Sequence, residues 1–142
     1  MSDPQSYFNR MRRGEIPAAP VVTLLGGEIR AVDAEAGTLQ ADYVGGPGFA
    51  NPAGQVQGGM LCAMLDDLTA CLVDATLAAG EVVATLNLNV SFLRPARLGP
   101  LQGEAHLVRR GREVCHVQAT LWQDGKEVAT ASAVCKIVAR RD

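Results

Sequence analysis

From Gly58 to Ala79 the chain runs for about six helical turns without a lysine or an arginine. Leu61, Leu65, Leu68 and Leu72 recur at i, i+4, i+7 and i+11 and make one stripe along a helix. A helix this apolar is buried over most of its circumference rather than laid on a surface. At ~1.5 Å per residue it is roughly 33 Å long, about the width of a small domain. Gly80 supplies its C-terminal punctuation. The rest of a 142-residue chain, a length that suits one domain, has to be built around this element.

Extended chain is what surrounds it. Past Gly80 the period drops to two: Leu86, Leu88, Val90 and Phe92 alternate with Thr85, Asn87, Asn89 and Ser91. A strand near Gln102 to Val108 follows Gly99-Pro100 and breaks at Arg110-Gly111. Cys115, Val117, Ala119 and Leu121 then alternate with polar residues, and Ala129, Ala131, Ala133, Cys135 and Ile137 close the pattern. Between these last two strands, Asp124-Gly125 is a type I′ hairpin signal. Upstream, Glu28 to Ala34 and Thr38 to Val44 flank the tight turn Glu35-Ala36-Gly37. The order is two strands, one long buried helix, then four strands joined by short turns, which is an α+β chain. The antiparallel sheet should wrap the helix on one face and leave strand edges that favour dimerisation.

Residues 1–20, charged and then Pro/Ala-rich, read as an N-terminal extension with a short helix around Tyr7 to Arg13, and 21–142 as the domain. Met1 to Arg13 is polar and has no apolar signal-peptide core, so a cytoplasmic location is expected. No apolar run is long enough to span a bilayer, and a net charge of −2 gives no argument for a broad nucleic-acid or membrane surface, so neither is expected as a partner. Cys62, Cys71, Cys115 and Cys135 lie inside apolar patterns without C-x-x-C spacing and read as buried reduced thiols. His106 and His116 have no second ligand at metal spacing, so no metal site is expected.

Three carboxylates lie on the long helix. At ~100° per residue, Asp67 and Asp74 share a face, where a polar edge or a helix-terminus contact would account for them. Asp66 lies roughly 90° away among Cys62, Ala63, Ala70 and Val73. An unpaired carboxylate in small apolar surroundings has a raised pKa, which is how a base or nucleophile is poised; a carboxylate satisfied by a nearby donor is the other reading. Gly58-Gly59 opens the helix, where N–H groups have no internal partner and the dipole is positive. Glycine there lets a carbonyl oxygen approach and become an oxyanion, or simply permits a tight loop-to-helix turn. The fifteen residues Gly45 to Gly59 form a long loop, a length that is often functional. There is no G-x-S-x-G elbow, no G-x-G-x-x-G and no Walker loop. Cys115 and His116 are neighbours on a strand and point to opposite faces.

Over roughly Gly26 to Val138 the chain resembles the hotdog-fold acyl-CoA thioesterases of the phenylacetate-type (PaaI-like) branch. That family has an Asn, six residues on a His-Gly-Gly, and nine residues after the His an Asp on the central helix. Those positions here hold Asn51, Gln57-Gly58-Gly59 and Asp66. The family's S-P-A-K/R-L-G pattern appears as Arg94-Pro95-Ala96-Arg97-Leu98-Gly99. The resemblance implies a hotdog fold, an antiparallel sheet wrapped around one long helix. It implies Asp66 as general base or nucleophile and the Gly58 N–H as oxyanion donor, with Gly59 beside it against the substrate. Asn51, reaching across a dimer interface, would orient the carbonyl or the attacking water, and Thr85 would help place water. Arg94, Arg97, Arg109, Arg110 and Arg112 would meet the phosphates of coenzyme A, although the Arg109-to-Arg112 turn also suits a solvated hairpin tip.

Gln57 stands where the family has His. It can donate and accept but cannot titrate. The implied function is hydrolysis of acyl-CoA or aryl-CoA thioesters in a homodimer or a homotetramer (a dimer of dimers), without a cofactor, coenzyme A being part of the substrate. A non-catalytic acyl-CoA-binding protein is the alternative. A hotdog dehydratase fits less well, because no His lies between Gly45 and Gly80. Neither the helix nor the loop carries the aromatic content that would argue for a flat acyl group, so the acyl group stays open.

Overall fold

The computed structural model describes residues 6–140. Two short helices, α1 (Tyr7–Arg12) and α2 (Pro20–Leu24), precede strands β1 (Glu28–Asp33) and β2 (Thr38–Gly45). Helix α3 (Gly58–Asp74) follows, and then β3 (Glu81–Phe92), β4 (Gly99–Arg110), β5 (Val114–Gln123) and β6 (Lys126–Ala139). All neighbouring strands are antiparallel, in the order β1-β2-β4-β5-β6-β3. The six strands wrap α3 on one face, and Leu61, Leu65, Leu68 and Leu72 are all buried against them.

Residue size explains how closely the helix approaches. The inner face of β6 is Ala129, Ala131, Ala133 and Cys135, all buried. On β4, a Cβ added to Gly103 would lie 2.6 Å from Leu68 Cδ1, so glycine gives the buried Leu68 of α3 its room. At the β5–β6 hairpin, Asp124 and Gly125 both have positive φ, as a type I′ turn requires.

Helix α3 is shorter than its apolar run. It ends at Asp74 rather than Ala79. Thr76 Oγ1 donates to the Val73 carbonyl at 2.7 Å, Leu77 turns inward to full burial, and Gly80 takes φ +77 in the following turn instead of closing the helix. Around α1, Phe8 is buried in the core and its N–H donates to Asp74 Oδ2 at 2.6 Å. The expected extension, residues 1–20, falls partly outside the described residues, as do the last two of 21–142.

A second departure bears on the site. Strict alternation puts Thr85 on the face opposite Leu88 and Val90. Instead, the register slips between Thr85 and Asn87. Thr85 pairs with Cys135, while Leu88 and Val90 pair with Ala133 and Ala131, so all three share the face turned to α3. Leu86 is the extra residue of this β-bulge and is 59% exposed. Among the described residues no helix is long and apolar enough to cross a membrane.

Candidate active site

The loop before α3 is held by Asn51. Its Oδ1 accepts from the N–H groups of Ala53 and Gln55, both at 3.0 Å, and its own N–H donates to the Gln55 carbonyl at 2.7 Å. With Oδ1 engaged, the Nδ2 amide is the donor that Asn51 can offer a ligand. Gln57 is the N-cap residue, and its backbone N–H donates to the Phe49 carbonyl at 2.8 Å. The Gln57 side chain is exposed and makes no cap hydrogen bond. The Gln57 carbonyl accepts from Met60 and Leu61, which leaves the Gly58 and Gly59 N–H groups without an acceptor from the helix itself. Asn51, Gly58, Leu61, Phe92 and Arg94 are among the residues lining a cavity of about 300 Å³ at this helix start. The Phe92 ring covers Gly58 so closely that a Cβ there would lie 3.3 Å from the ring.

Asp66 is half-buried midway along α3. Its Oδ1 accepts from Thr85 Oγ1 at 2.8 Å, a contact the bulge makes possible. Among the described residues nothing donates to its other oxygen. Asp66 is thus not the unpaired carboxylate that its apolar neighbours suggest; the donor comes from β3. At Asp67, burial pushes the carboxyl pKa up and outweighs the hydrogen bonds from Tyr43 and Cys71. Asp74 is the carboxylate that meets the α1 backbone.

The family model for the acyl-CoA thioesterase N-terminal domain matches residues 47–136, which include all of α3 and the Asp66–Thr85 pair. The chain belongs to the acyl-CoA thioesterase family. Among solved structures, this thioesterase is similar to a phenylacetic acid degradation-related protein from Ralstonia eutropha JMP134, at 63% identity over 92% of this chain and 98% of that one, with a TM-score of 0.90. It shares its fold with a thioesterase from Haemophilus influenzae at 22% identity (85% of this chain, 84% of that one, TM-score 0.77). It also shares it with a Streptococcus mutans UA159 protein bound to acetyl CoA at 21% identity (82% and 91%, TM-score 0.72). The search of curated proteins returns no match. The hotdog fold and the thioester hydrolase class follow from the family match.

Within one chain the thioesterase does not bring all the expected residues together. Asn51, Gln57, Gly58, Gly59 and Arg94 gather at the start of α3, whereas Asp66 and Thr85 sit eight residues along it, ~12 Å away. The arginines are dispersed too. Arg94 Nη1 donates to the Glu127 carbonyl at 2.8 Å, and Arg97 pairs with Asp124 at the hairpin. Arg110 lies at the opposite end of α3, with Nε on Thr76 Oγ1 at 2.9 Å. Arg109 and Arg112 are exposed beside it. A larger cavity, about 680 Å³, opens at that end near Gly37, Thr76 and Arg109. Its lining includes Glu35 but no helix start, whereas the smaller cavity has the start of α3 and no carboxylate of its own.

Two residues of this region do not stand out in the sequence. Phe92 brings an aromatic ring to the cavity from β3, an element outside the helix and loop that were read for aromatic content. Tyr43 reaches Asp67 from β2, and nothing in its local pattern marks it. Cys115 and Cys135 are buried, but Cys62 and Cys71 are only half-buried. Among the described residues no group of three His, Cys, Asp or Glu could hold a metal ion.

Proposed function

We propose that this enzyme hydrolyses acyl-CoA or aryl-CoA thioesters to the free acid and coenzyme A, in a site shared between two copies of the chain. The Thr85–Asp66 hydrogen bond carries the reading, because it holds a carboxylate with one oxygen open midway along the helix. Asp66 takes a proton from water, and the hydroxide adds to the thioester carbon. Negative charge develops on the carbonyl oxygen and is met by the Gly58 N–H at the helix start. The C–S bond then breaks, and the proton held by Asp66 returns to the leaving thiolate. Direct attack by Asp66 as nucleophile uses the same geometry. No cofactor enters these steps.

The ~12 Å between Gly58 and Asp66 is too long for both to touch one thioester carbon. A second copy resolves this by placing its Asp66 and Thr85 beside the first copy's Asn51 and Gly58. Strand β3 supports such an arrangement: it is a twelve-residue sheet edge, with Leu86 59% and Phe92 53% exposed. We read the protein as a homodimer, or a homotetramer built from two, in the cytoplasm. The acetyl CoA in the Streptococcus mutans structure supports coenzyme A as the handle of the substrate. Arg94 lines the cavity, and Arg109 and Arg112 are further cations for its phosphates; Arg97 would have to leave Asp124, and Arg110 Thr76, to join them. The binding-module alternative rests on Gln57, whose side chain is exposed at the N-cap and is not the base.

The test is a panel of acyl- and aryl-CoA thioesters given to the wild type and to Asp66→Asn. Thiol release by the wild type and its loss in the variant are expected. Equal turnover in the two would overturn the assignment of Asp66.

A further inference from the structure

Asp67 follows the proposed base directly, and its two oxygens are both engaged inside the protein. Tyr43 Oη donates to Oδ2 at 2.7 Å, and Cys71 Sγ donates to Oδ1 at 3.6 Å. Tyr43 is buried on β2, and burial followed by the charge of Asp67 pushes its hydroxyl pKa up, so it stays a donor. Each Asp67 oxygen thus has a donor from within the chain, whereas Asp66 has one on Oδ1 alone. What the pair does is attach α3 to β2.

The neighbouring residue attaches the same helix to β3. Successive side chains leave a helix ~100° apart. The Asp66–Thr85 and Asp67–Tyr43 bonds therefore grip α3 at one level from two directions, toward strands that are four places apart in the sheet order. Losing either bond removes one of two polar constraints on rotation about the helix axis. The buried leucine stripe holds the core side of the helix, with Leu68 set against Gly103 of β4, and the two bonds add polar anchors on the helix at the level of Asp66. With both bonds in place the direction of the Asp66 carboxylate is set.

We propose that Asp67, held by Tyr43, is a positioning residue for catalysis: it fixes the rotation of α3 and so aims Asp66 at the thioester. The proposal rests on the reading of Asp66 as the base. Asp67 touches no substrate, so its loss should appear in kcat and not in KM.

The test compares Asp67→Ala, Asp67→Asn, Tyr43→Phe, the Ala/Phe double variant and Asp66→Asn on the best thioester of the panel, each with its Tm. Asp67→Ala and Tyr43→Phe should each lower kcat, roughly 10- to 100-fold for a misplacement near 1 Å, with KM within about twofold. Asp67→Asn keeps an oxygen for the Tyr43 hydroxyl and should recover most of kcat. The double variant should be no worse than Asp67→Ala, because Tyr43 acts through Asp67. Wild-type kcat in both Asp67→Ala and Tyr43→Phe, with only Tm lowered, would overturn the proposal, as would an Asn variant as impaired as the Ala one. If Asp67→Ala fails to fold, Tyr43→Phe decides. Wild-type turnover in Asp66→Asn is a different result, and it removes the Asp66 reading itself.

Discussion

Thr85 meets Asp66 because the residue after it, Leu86, is a bulge. Its hydroxyl donates to Asp66 Oδ1 at 2.8 Å from a strand on which regular alternation would have turned it outward. The bond orients one carboxylate oxygen and leaves the other open. Thr85→Val, which keeps the shape and removes the donor, should lower kcat about tenfold, and Thr85→Ser should retain it. Steady-state kinetics on a thioester substrate would separate the two; equal loss in both would show that packing, not the hydroxyl, matters.

Asp66→Asn should reduce turnover roughly 10²- to 10⁴-fold, the usual worth of a general base. The fold should persist, since Asn can still accept from Thr85. Circular dichroism together with thiol release is the measurement.

Gly58→Pro is a sharp probe of the oxyanion donor. Proline is tolerated at the first helical position, and Gln57 before it already has φ −59 and ψ 135, a conformation that proline accepts in its predecessor. The substitution removes one N–H and sets the proline ring against Phe92, so a melt accompanies the kinetics. We expect a helix of normal stability and a loss of kcat on the order of 10²-fold. Unchanged kcat would assign the oxyanion elsewhere.

A shared site predicts complementation. Asp66→Asn and Gly58→Pro chains, each inactive alone, should regain activity when unfolded and refolded together. A mixed pair contains one site with an intact Gly58 from one copy and an intact Asp66 from the other. Absence of any recovery would place the whole site in a single chain.

The half-buried carboxyl of Asp67 gives a pH signature in stability. Its folded pKa lies above the ordinary value of 3.8, with burial the main cause, so between those two values the folded state binds more protons than the unfolded one. Stability from this group is therefore present below 3.8 and is lost as pH rises through the folded value. Asp67→Asn should raise Tm near neutral pH, and the difference should shrink at pH 3. Thermal melts across that range would show it; a constant offset would mean that Asp67 does not titrate differently in the folded state.

Much of this molecule was legible in its residues because the signals are local. The leucine spacing in α3, the period-two runs of the strands and Asp124-Gly125 each follow from what one segment can do with its own backbone and its own apolar face. The spacing of Asn51, Gly58 and Asp66 was equally visible, since all three lie in one loop-and-helix segment.

What only the tertiary structure decided depends on partners distant in sequence. Alternation cannot reveal the bulge at Leu86, because the slip exists only against β6, and with it went the face of Thr85. Helical angles separated Asp66 from Asp67 but could not say which had the donor from β3 and which the one from β2. The helix end moved from Ala79 to Asp74 because Leu77 found the core, a gain that no helix propensity counts. Local pattern determined the elements and the order of the site residues; hydrogen bonds and packing across the sheet decided which way those residues point.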